Sequence, residues 1–187
     1  MALTADQDRE DVQRVLAGAV EDFAILVDRH QGRIVAHLTR LVGRDEAEDL
    51  AQDTFLRAYQ ALDRYDPTYP FRGWLLVISS RLATNHLAKR REHHHRDGED
   101  GEIAGGDDPA HTVADADAHA VLVERIDRAL ATLAPESRSL YELRFRQELT
   151  VGELARHFHI SESALKVRVH RLRATLAERL GITLGEP

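Results

Sequence analysis

The sequence predicts an all-α protein built from two small helical domains that a flexible acidic linker joins. Apolar residues recur every three or four positions in successive segments, which is the period of an amphipathic helix, and no strand pattern competes with it. Only five prolines interrupt a chain rich in Ala, Leu, Arg and Glu, most of them strong helix formers. At 187 residues, the chain is long enough for one medium domain or two small ones.

Charge separates the two predicted domains. Residues 97–117 contain eight acidic residues, four glycines and one proline, but no Lys or Arg. Such a segment repels itself and has little apolar surface to bury, so we predict a flexible linker over 96–118, between domains at 8–95 and 119–182. These eight charges exceed the whole formal net charge of -7, so the two domains together are slightly basic.

Three helices are predicted in the N-terminal domain. The first presents an apolar face from Phe23 to Leu38, and the second covers about 45–62. Two prolines within 64–71 then break the helix, and the third helix begins near Phe71. The predicted core positions are Phe23, Leu26, Val27, His30, Ile34 and Leu38 in the first helix, Ala47, Leu50, Ala51, Phe55, Leu56, Tyr59 and Leu62 in the second, and Phe71, Trp74, Leu75, Ile78 and Leu82 in the third.

Four shorter helices are predicted in the C-terminal domain. The second of them opens at Pro135, a favoured first helical position. Thr150 and Glu153 form a capping box at the start of the third, and Ser161 caps the fourth. Two capped helices joined by residues 157–160 are typical of a helix-turn-helix. The predicted core positions are Leu122, Ile126, Ala129, Leu130, Leu133, Leu140, Leu143, Phe145, Leu154, Ile160, Leu165, Val169, Leu172, Leu176 and Leu180.

The last predicted helix carries a basic face opposite its apolar stripe. Between residues 161 and 173, four Lys or Arg residues stand against one acid, Glu162. Phosphate contacts supply much of the affinity of a helix for the major groove, so this face favours binding to duplex DNA. A solvated face of an ordinary helical domain is the alternative, since amphipathic basic helices are common. The candidate residues are Ser163, Lys166, Val167, Arg168, His170, Arg171 and Arg173.

Several classes of protein are disfavoured by what the sequence lacks. It has no cysteine, which fits a reducing cytoplasm and removes disulfides and thiolate metal sites. It lacks a signal-peptide pattern and any apolar run long enough to span a membrane, so a cytoplasmic location without membrane insertion is expected. The patterns GxxxxGK, GxSxG and HExxH are missing, so neither an enzyme nor a cofactor is expected.

A histidine tract raises a metal-site hypothesis. His93, His94 and His95 are consecutive, with His86 about two turns upstream. Three consecutive residues cannot share one face of a helix, and no cysteine or ordered acidic pair completes a tetrahedral ligand set. A helix end that frays into the linker is the simpler interpretation, so no metal is expected.

Two blocks of sequence resemble conserved regions of a known family. AEDLAQDTFLRAY (47–59), followed by PFRGWL (70–75), is similar to region 2 of extracytoplasmic-function sigma factors. The segment 129–176, with LAPESR, ELARHFHISESALK and HRLR, resembles their region 4. Both blocks, in this order and separated by a linker, are typical of this family of bacterial transcription initiation factors. The resemblance implies core RNA polymerase and promoter DNA as partners, and an anti-sigma factor as a further partner.

The resemblance also implies roles for individual residues. In the family, the helix with the AEDLxQ-like motif docks on polymerase, which implies a docking role for Glu48, Asp49, Gln52 and Asp53. The loop before the Trp-containing helix, and that helix, bind the -10 promoter element as a single strand, which implies DNA contacts by Tyr65, Tyr69, Arg72, Arg81, Asn85 and Lys89. The two tyrosines are expected to stack on bases, because periodicity places Phe71 and Trp74 in the core. The basic helix-turn-helix face reads the -35 element.

Two alternatives stand beside the sigma-factor interpretation. A stand-alone helix-turn-helix regulator would use the N-terminal bundle as a sensor or for dimerisation, and a protein-binding adaptor would need no basic recognition helix. The outward-facing acidic residues of 48–53 favour a docking surface over a ligand cavity. The chain departs from the usual family pattern at His159, where the turn commonly has Gly, so a left-handed backbone is expected there.

Overall fold

The computed structural model of the chain describes the backbone of residues 2–97 and 114–182, and the side chains of residues 5–92 and 121–182. Two units are present, Met1–Asp97 and Gly98–Pro187. Every regular element in the described ranges is helical, which confirms the predicted fold class. Among these helices, none combines the length and the apolar character that crossing a membrane requires.

Four helices make up the N-terminal unit: α1 (Ala2–Leu16), α2 (Phe23–Val42), α3 (Arg44–Gln60) and α4 (Phe71–Asp97). Short 3-10 turns at Val20–Asp22 and Leu62–Arg64 connect them. Helices α2, α3 and α4 pack against one another, and α1 lies mainly on α2. Their shared core is formed by Leu26, Ile34, Leu38, Ala47, Ala51, Phe55, Ala58, Phe71, Leu75 and Leu76.

Helix α1 was not predicted, because two of the four buried residues among its described side chains are acidic. The buried residues follow helical spacing and are Asp8, Asp11, Val12 and Val15. A hydropathy pattern assigns the two aspartates to the surface, so it does not indicate an apolar face here. Arg29 of α2 donates a hydrogen bond to Asp8, and its Nη2 lies 2.7 Å from Asp11 Oδ2. These ion pairs compensate the desolvation of the carboxylates and allow a polar helix to lie against the bundle.

Buried titratable groups also join α1 and α4 to α2. His30 Nε2 lies 3.0 Å from Asp8 Oδ1. Burial acts to raise the pKa of Asp8, but the hydrogen bonds from His30 and Arg29 outweigh it and lower the pKa from 3.8. His37 Nε2 lies 2.8 Å from Ser80 Oγ of α4, and burial, aided by the charge of Arg40, lowers the pKa of His37 to about 4.

Most predicted core positions of the N-terminal domain are confirmed, but the outer side of α3 is a correction. Leu56 and Tyr59 were predicted to face the core, yet their side chains are 55% and 39% exposed. The three- and four-residue spacing of apolar residues predicted a buried face that is wider than the observed one. The contact of α3 with α2 and α4 is formed by Ala51, Phe55 and Ala58 instead. Phe71 is fully buried as predicted, whereas Trp74 is only half-buried.

The C-terminal unit contains α5 (Ala114–Ala131), α6 (Pro135–Tyr141), α7 (Val151–His157) and α8 (Glu162–Leu180), with a π-helical turn at Glu142–Arg146. Pro135 occupies the first turn of α6, as predicted. Leu122 and Phe145 were predicted to lie in the core, but they are 48% and 39% exposed. The core is formed by Ala129, Leu130, Leu133, Leu140, Leu143, Leu149, Leu154, Leu165, Leu172 and Leu176.

Helices extend into both ends of the predicted linker. Helix α5 begins at Ala114, inside the predicted linker of 96–118, because Ala-rich sequence continues the helix outward from the packed part of α5. At the other end, α4 continues to Asp97. Residues 98–113, which carry the linker prediction, lie outside the described residues, and so do the side chains of His93, His94 and His95.

Candidate nucleic-acid and polymerase interfaces

Helices α7 and α8 form the predicted helix-turn-helix, and local hydrogen bonds fix its geometry. The Thr150 hydroxyl accepts a bond from the Glu153 amide, while the Glu153 carboxylate accepts one from the Thr150 amide at 2.7 Å. The capping box is therefore confirmed. Ser161 Oγ accepts from the Ala164 amide at 3.1 Å and begins α8.

The turn between the two helices has the left-handed residue expected from the sequence. His159 has φ +53°, and the next amide, of Ile160, donates to the Ala155 carbonyl at 3.0 Å. Leu154 of α7 and Leu165 of α8 are fully buried between the helices. The turn and this apolar contact hold α8 at a fixed angle to α7, which positions the outer face of α8.

All the residues proposed for the outer face of α8 lie at the surface. Val167 is 49% exposed although it is apolar, while Leu165 and Leu172 on the opposite side are buried. Within the described residues, none of the cations on this face forms an ion pair with the protein, so their charges are available to phosphate. The exposed residues are Ser163, Lys166, Val167, Arg168, His170, Arg171 and Arg173.

The segment before α4 is an ordered loop that its own side chains close. Asp66 accepts hydrogen bonds from the Thr68 amide at 2.9 Å and from the Thr68 hydroxyl at 2.7 Å, which makes an Asx turn. The Tyr65 hydroxyl donates to the Tyr69 carbonyl and ties the two ends of the loop together. The side chains of Asp66, Pro67 and Thr68 at the tip are exposed.

Tyr65 corrects the sequence-based assignment. It was expected to offer its ring to a base, but it is only 8% exposed, and its ring packs 5.2 Å from Phe71 and 5.3 Å from Trp74. Burial, together with the charge of Asp8, raises the pKa of Tyr65 to about 12. Tyr65 therefore supports the loop from inside, because proline-bounded segments can bury an aromatic ring that spacing alone assigns to the surface.

The other residues assigned to the -10 element lie at or near the surface. Arg81, Asn85 and Lys89 are exposed and follow one another at four-residue intervals, so they form one row along α4. Tyr69 and Arg72 are half-buried near the start of α4. The assigned residues therefore lie in two places, at the start of α4 and along its exposed later part.

Helix α3 presents a second polar surface on the same unit. Glu48, Asp49 and Gln52 are exposed and form no hydrogen bond or ion pair with the other described residues. Asp53 differs, because both of its carboxylate oxygens accept from Arg57 Nε at 3.1 Å. Leu56 continues this exposed face one turn beyond Gln52. The sequence could have indicated this, because Glu48, Gln52 and Leu56 are spaced four residues apart and so share one side of the helix.

Comparison with known proteins assigns both units to one family. The family model of Sigma-70 region 2 matches residues 26–93, and that of Sigma-70 region 4 matches residues 123–176. RNA polymerase sigma-H factor of Pseudomonas aeruginosa is 30% identical over 98% of this chain and 99% of its own length. The chain is an extracytoplasmic-function sigma factor.

Further relatives and solved structures agree with this assignment. The ECF RNA polymerase sigma factor SigW of Bacillus subtilis is 28% identical over 92% of this chain and 96% of its own length. CnrH, solved in complex with the cytosolic domain of CnrY, is 27% identical, covers 93% of this sigma factor and 97% of its own chain, and has a TM-score of 0.60. The sigma factor RpoE of Bartonella quintana, at 23% identity, 88% and 99% coverage and a TM-score of 0.66, shows the same fold.

Membership of this family defines the function in general terms. The protein is a transcription initiation factor that directs promoter-specific initiation by RNA polymerase. Its N-terminal unit carries region 2, and its C-terminal unit carries region 4 with the helix-turn-helix. The N-terminal unit is therefore not the sensor or dimerisation bundle of a stand-alone regulator.

Proposed function

We propose that three exposed surfaces of this sigma factor divide the work of initiation among them. The polar face of α3 docks on core RNA polymerase, the loop before α4 and the outer row of α4 bind the single-stranded -10 element, and α8 reads the -35 duplex. One observation carries this division: each surface holds polar or charged side chains that lie at or near the solvent-exposed surface of its unit.

Polymerase docking is assigned to Glu48, Asp49 and Gln52. Their side chains are exposed on one side of a helix whose other side is buried in the bundle, so they reach a partner without any rearrangement. Asp53 is neutralised in part by Arg57, so it contributes less to a charged contact. The exposed Leu56 supplies the apolar element beside these polar groups.

The -10 contacts are assigned to Tyr69 and Arg72 near the start of α4, and to the row of Arg81, Asn85 and Lys89. A half-exposed tyrosine offers a stacking surface for an unpaired base. Cations spaced along α4 follow a strand of phosphates, and the amide of Asn85 can bond a base edge. Tyr65 acts from beneath, by holding the Tyr69 carbonyl.

The -35 contacts are assigned to the outer face of α8. Ser163, Lys166 and Val167 lie near the amino-terminal end of the helix, the part of a recognition helix that contacts base edges. Arg168, His170, Arg171 and Arg173 follow along the same helix and provide phosphate and base contacts. These cations are active in a chain of net charge -7 because they are grouped on one exposed face.

Two further features belong to this proposal. We propose a cytoplasmic location, where polymerase and DNA are present. An anti-sigma factor that covers the polymerase-binding surfaces is also proposed; the relative CnrH has been solved with the cytosolic domain of CnrY bound to it. An acidic linker between the units would allow each to reach its own promoter element, and joint attachment to polymerase would raise the effective concentration of each weak contact.

The test is run-off transcription with core RNA polymerase. Wild type is compared with Asp49→Ala/Gln52→Ala and with the matched control Asp28→Ala/Gln31→Ala, which removes an exposed acid and an exposed glutamine, also three residues apart, from α2. We expect discrete transcripts from wild type and control, and loss of both initiation and core binding in the α3 variant. Core binding by the α3 variant at the wild-type level would show that the docking assignment is wrong.

A further inference from the structure

Helix α1 lies outside the matched region 2, which covers residues 26–93, yet it holds the loop assigned to the -10 element. Arg9 Nε and Nη2 donate to the Pro67 carbonyl oxygen at 3.1 and 2.9 Å. This pair of bonds joins residues 58 positions apart. It contacts the loop at its tip, where the side chains are exposed and apolar packing cannot fix the backbone.

Arg9 stands on a helix that is itself firmly attached. The neighbouring Asp8 is buried against Arg29 and His30, and Asp11 is held by Arg29 at 2.7 Å. On the other side of Arg9, its Nη1 donates to Asp6 at 3.1 Å, which fixes the orientation of the guanidinium group. We call the two hydrogen bonds from Arg9 to the Pro67 carbonyl the Arg9 fork. Because α1 is fixed on α2, this fork fixes the position of the loop relative to both helices.

Two further side-chain hydrogen bonds stabilise the loop from within. The Asx turn of Asp66 is internal to the loop, and the bond from Tyr65 to the Tyr69 carbonyl closes its base. The two bonds from Arg9 are a hydrogen-bonded connection between the tip and another element, α1. This connection restricts the backbone conformations of the tip, so a DNA strand has fewer of them to select from.

We propose that α1 is a positioning element for promoter capture and that Arg9 is its positioning residue. This inference rests on the assignment of the loop to the -10 strand. Arg9 acts by preorganising the loop, not by contacting DNA, because the donors of its fork are already directed at the Pro67 carbonyl and at Asp6. A loop held in one conformation binds its strand more tightly, since less conformational freedom is lost on binding.

The first test reports on the loop in the free protein. Trp74 is the sole tryptophan of the chain and lies 5.3 Å from the Tyr65 ring, so its fluorescence senses the packing of the loop. In Arg9→Ala and Arg9→Lys we expect acrylamide quenching of Trp74 to rise toward its value in denaturant. Arg33→Ala, which removes an exposed arginine of α2 that has no partner among the described residues, is expected to leave quenching unchanged. Unchanged quenching in Arg9→Ala would overturn the inference without any reference to DNA.

The second test measures binding of the holoenzyme to a labelled single strand that carries the non-template -10 segment of a promoter mapped by run-off transcription. We expect Arg9→Ala and Arg9→Lys each to weaken this binding by roughly tenfold, the effect of losing a charge-assisted hydrogen-bond pair. Core affinity, -35 duplex affinity and the Arg33→Ala control should stay at the wild-type level.

Three results would contradict the positioning role. Wild-type binding by Arg9→Lys would show that charge near DNA, not the fork, is what matters. An equal loss of core affinity would show that α1 only stabilises the domain, and unchanged strand binding in Arg9→Ala would exclude any role in capture. A wild-type holoenzyme that fails to prefer the -10 strand would instead overturn the assignment of the loop, and the inference with it.

Discussion

Charged residues have different roles in two regions of the molecule. Those between α1 and α2 attach one helix to another, whereas those on α8 are exposed to a binding partner. Asp8 and Asp11 are buried and form ion pairs with Arg29, so these charges attach α1 to α2. Lys166 and Arg171 on α8 are exposed and form no ion pair in the described part of the chain. A charge that has a partner within the fold is structural, whereas a charge without one is free to bind another molecule.

The largest expected effect on stability comes from removing one of the buried charges between α1 and α2. Asp8→Ala removes the hydrogen bonds that join Asp8 to Arg29 and His30, although Arg29 keeps Asp11, so we expect a loss of about 3–4 kcal/mol in the free energy of unfolding of the N-terminal unit. Urea denaturation followed by Trp74 fluorescence measures it. The control is Asp28→Ala, an exposed acid on α2, which should change stability by less than about 0.5 kcal/mol. Equal losses in the two variants would contradict a structural role for the Asp8 pair.

A second buried group makes stability depend on pH. The pKa of His37 is lowered from 6.5 to about 4 in the folded state, so the unfolded chain binds more protons between these values. Stability contributed by neutral His37 is therefore complete above pH 6.5 and declines by about 3 kcal/mol as the pH falls to about 4. Asp8, whose pKa is lowered below 3.8, adds a further loss only at still lower pH.

The measurement is urea unfolding of wild type and His37→Gln over this pH range. The amide of glutamine can still bond Ser80 but cannot be protonated, so the variant should have the flatter profile between pH 6.5 and 4. Parallel profiles would show that His37 does not titrate with a lowered pKa.

The smallest effect is expected for a charge that is paired but exposed. Asp53 bonds Arg57 on the surface of α3, so Asp53→Ala should lower the unfolding free energy by only about 0.3–0.5 kcal/mol. The same variant should retain most of its affinity for core polymerase, in contrast to Asp49→Ala/Gln52→Ala. A loss of core binding as large as in the double variant would place Asp53 among the docking residues.

Much of the fold was predictable because it depends on local chemistry. Pro135, the capping box of Thr150 and the Ser161 cap begin helices where the sequence placed them, since capping satisfies amide groups that any helix start leaves unpaired. The left-handed turn at His159 was likewise predictable from the residue that usually occupies that position. The seven candidates on α8 lie at the surface because apolar spacing fixes which side of a helix is buried.

The errors occurred where distant residues decide the environment. Asp8 is buried because Arg29 and His30 lie opposite it, and no local pattern shows that contact. Tyr65 is buried because Phe71 and Trp74 cover it, although the prolines around it indicate a surface loop. Leu56 is exposed because α2 and α4 cover only the other side of α3. The fork from Arg9 to Pro67 could not be inferred at all, since it joins residues that are far apart in sequence.

The claim that unpaired exposed charge marks the DNA-binding face is tested most directly on α8. Binding of the holoenzyme to a -35 duplex is measured over a range of salt concentrations for wild type, for Lys166→Ala/Arg171→Ala and for Arg128→Ala, a control cation of the same unit that is paired with Glu124. The double variant should bind more weakly, with a salt slope reduced by about 1–2, while its unfolding free energy stays within about 0.5 kcal/mol of wild type and the control binds normally. An unchanged slope and affinity in the double variant, or an equal loss in Arg128→Ala, would contradict the claim.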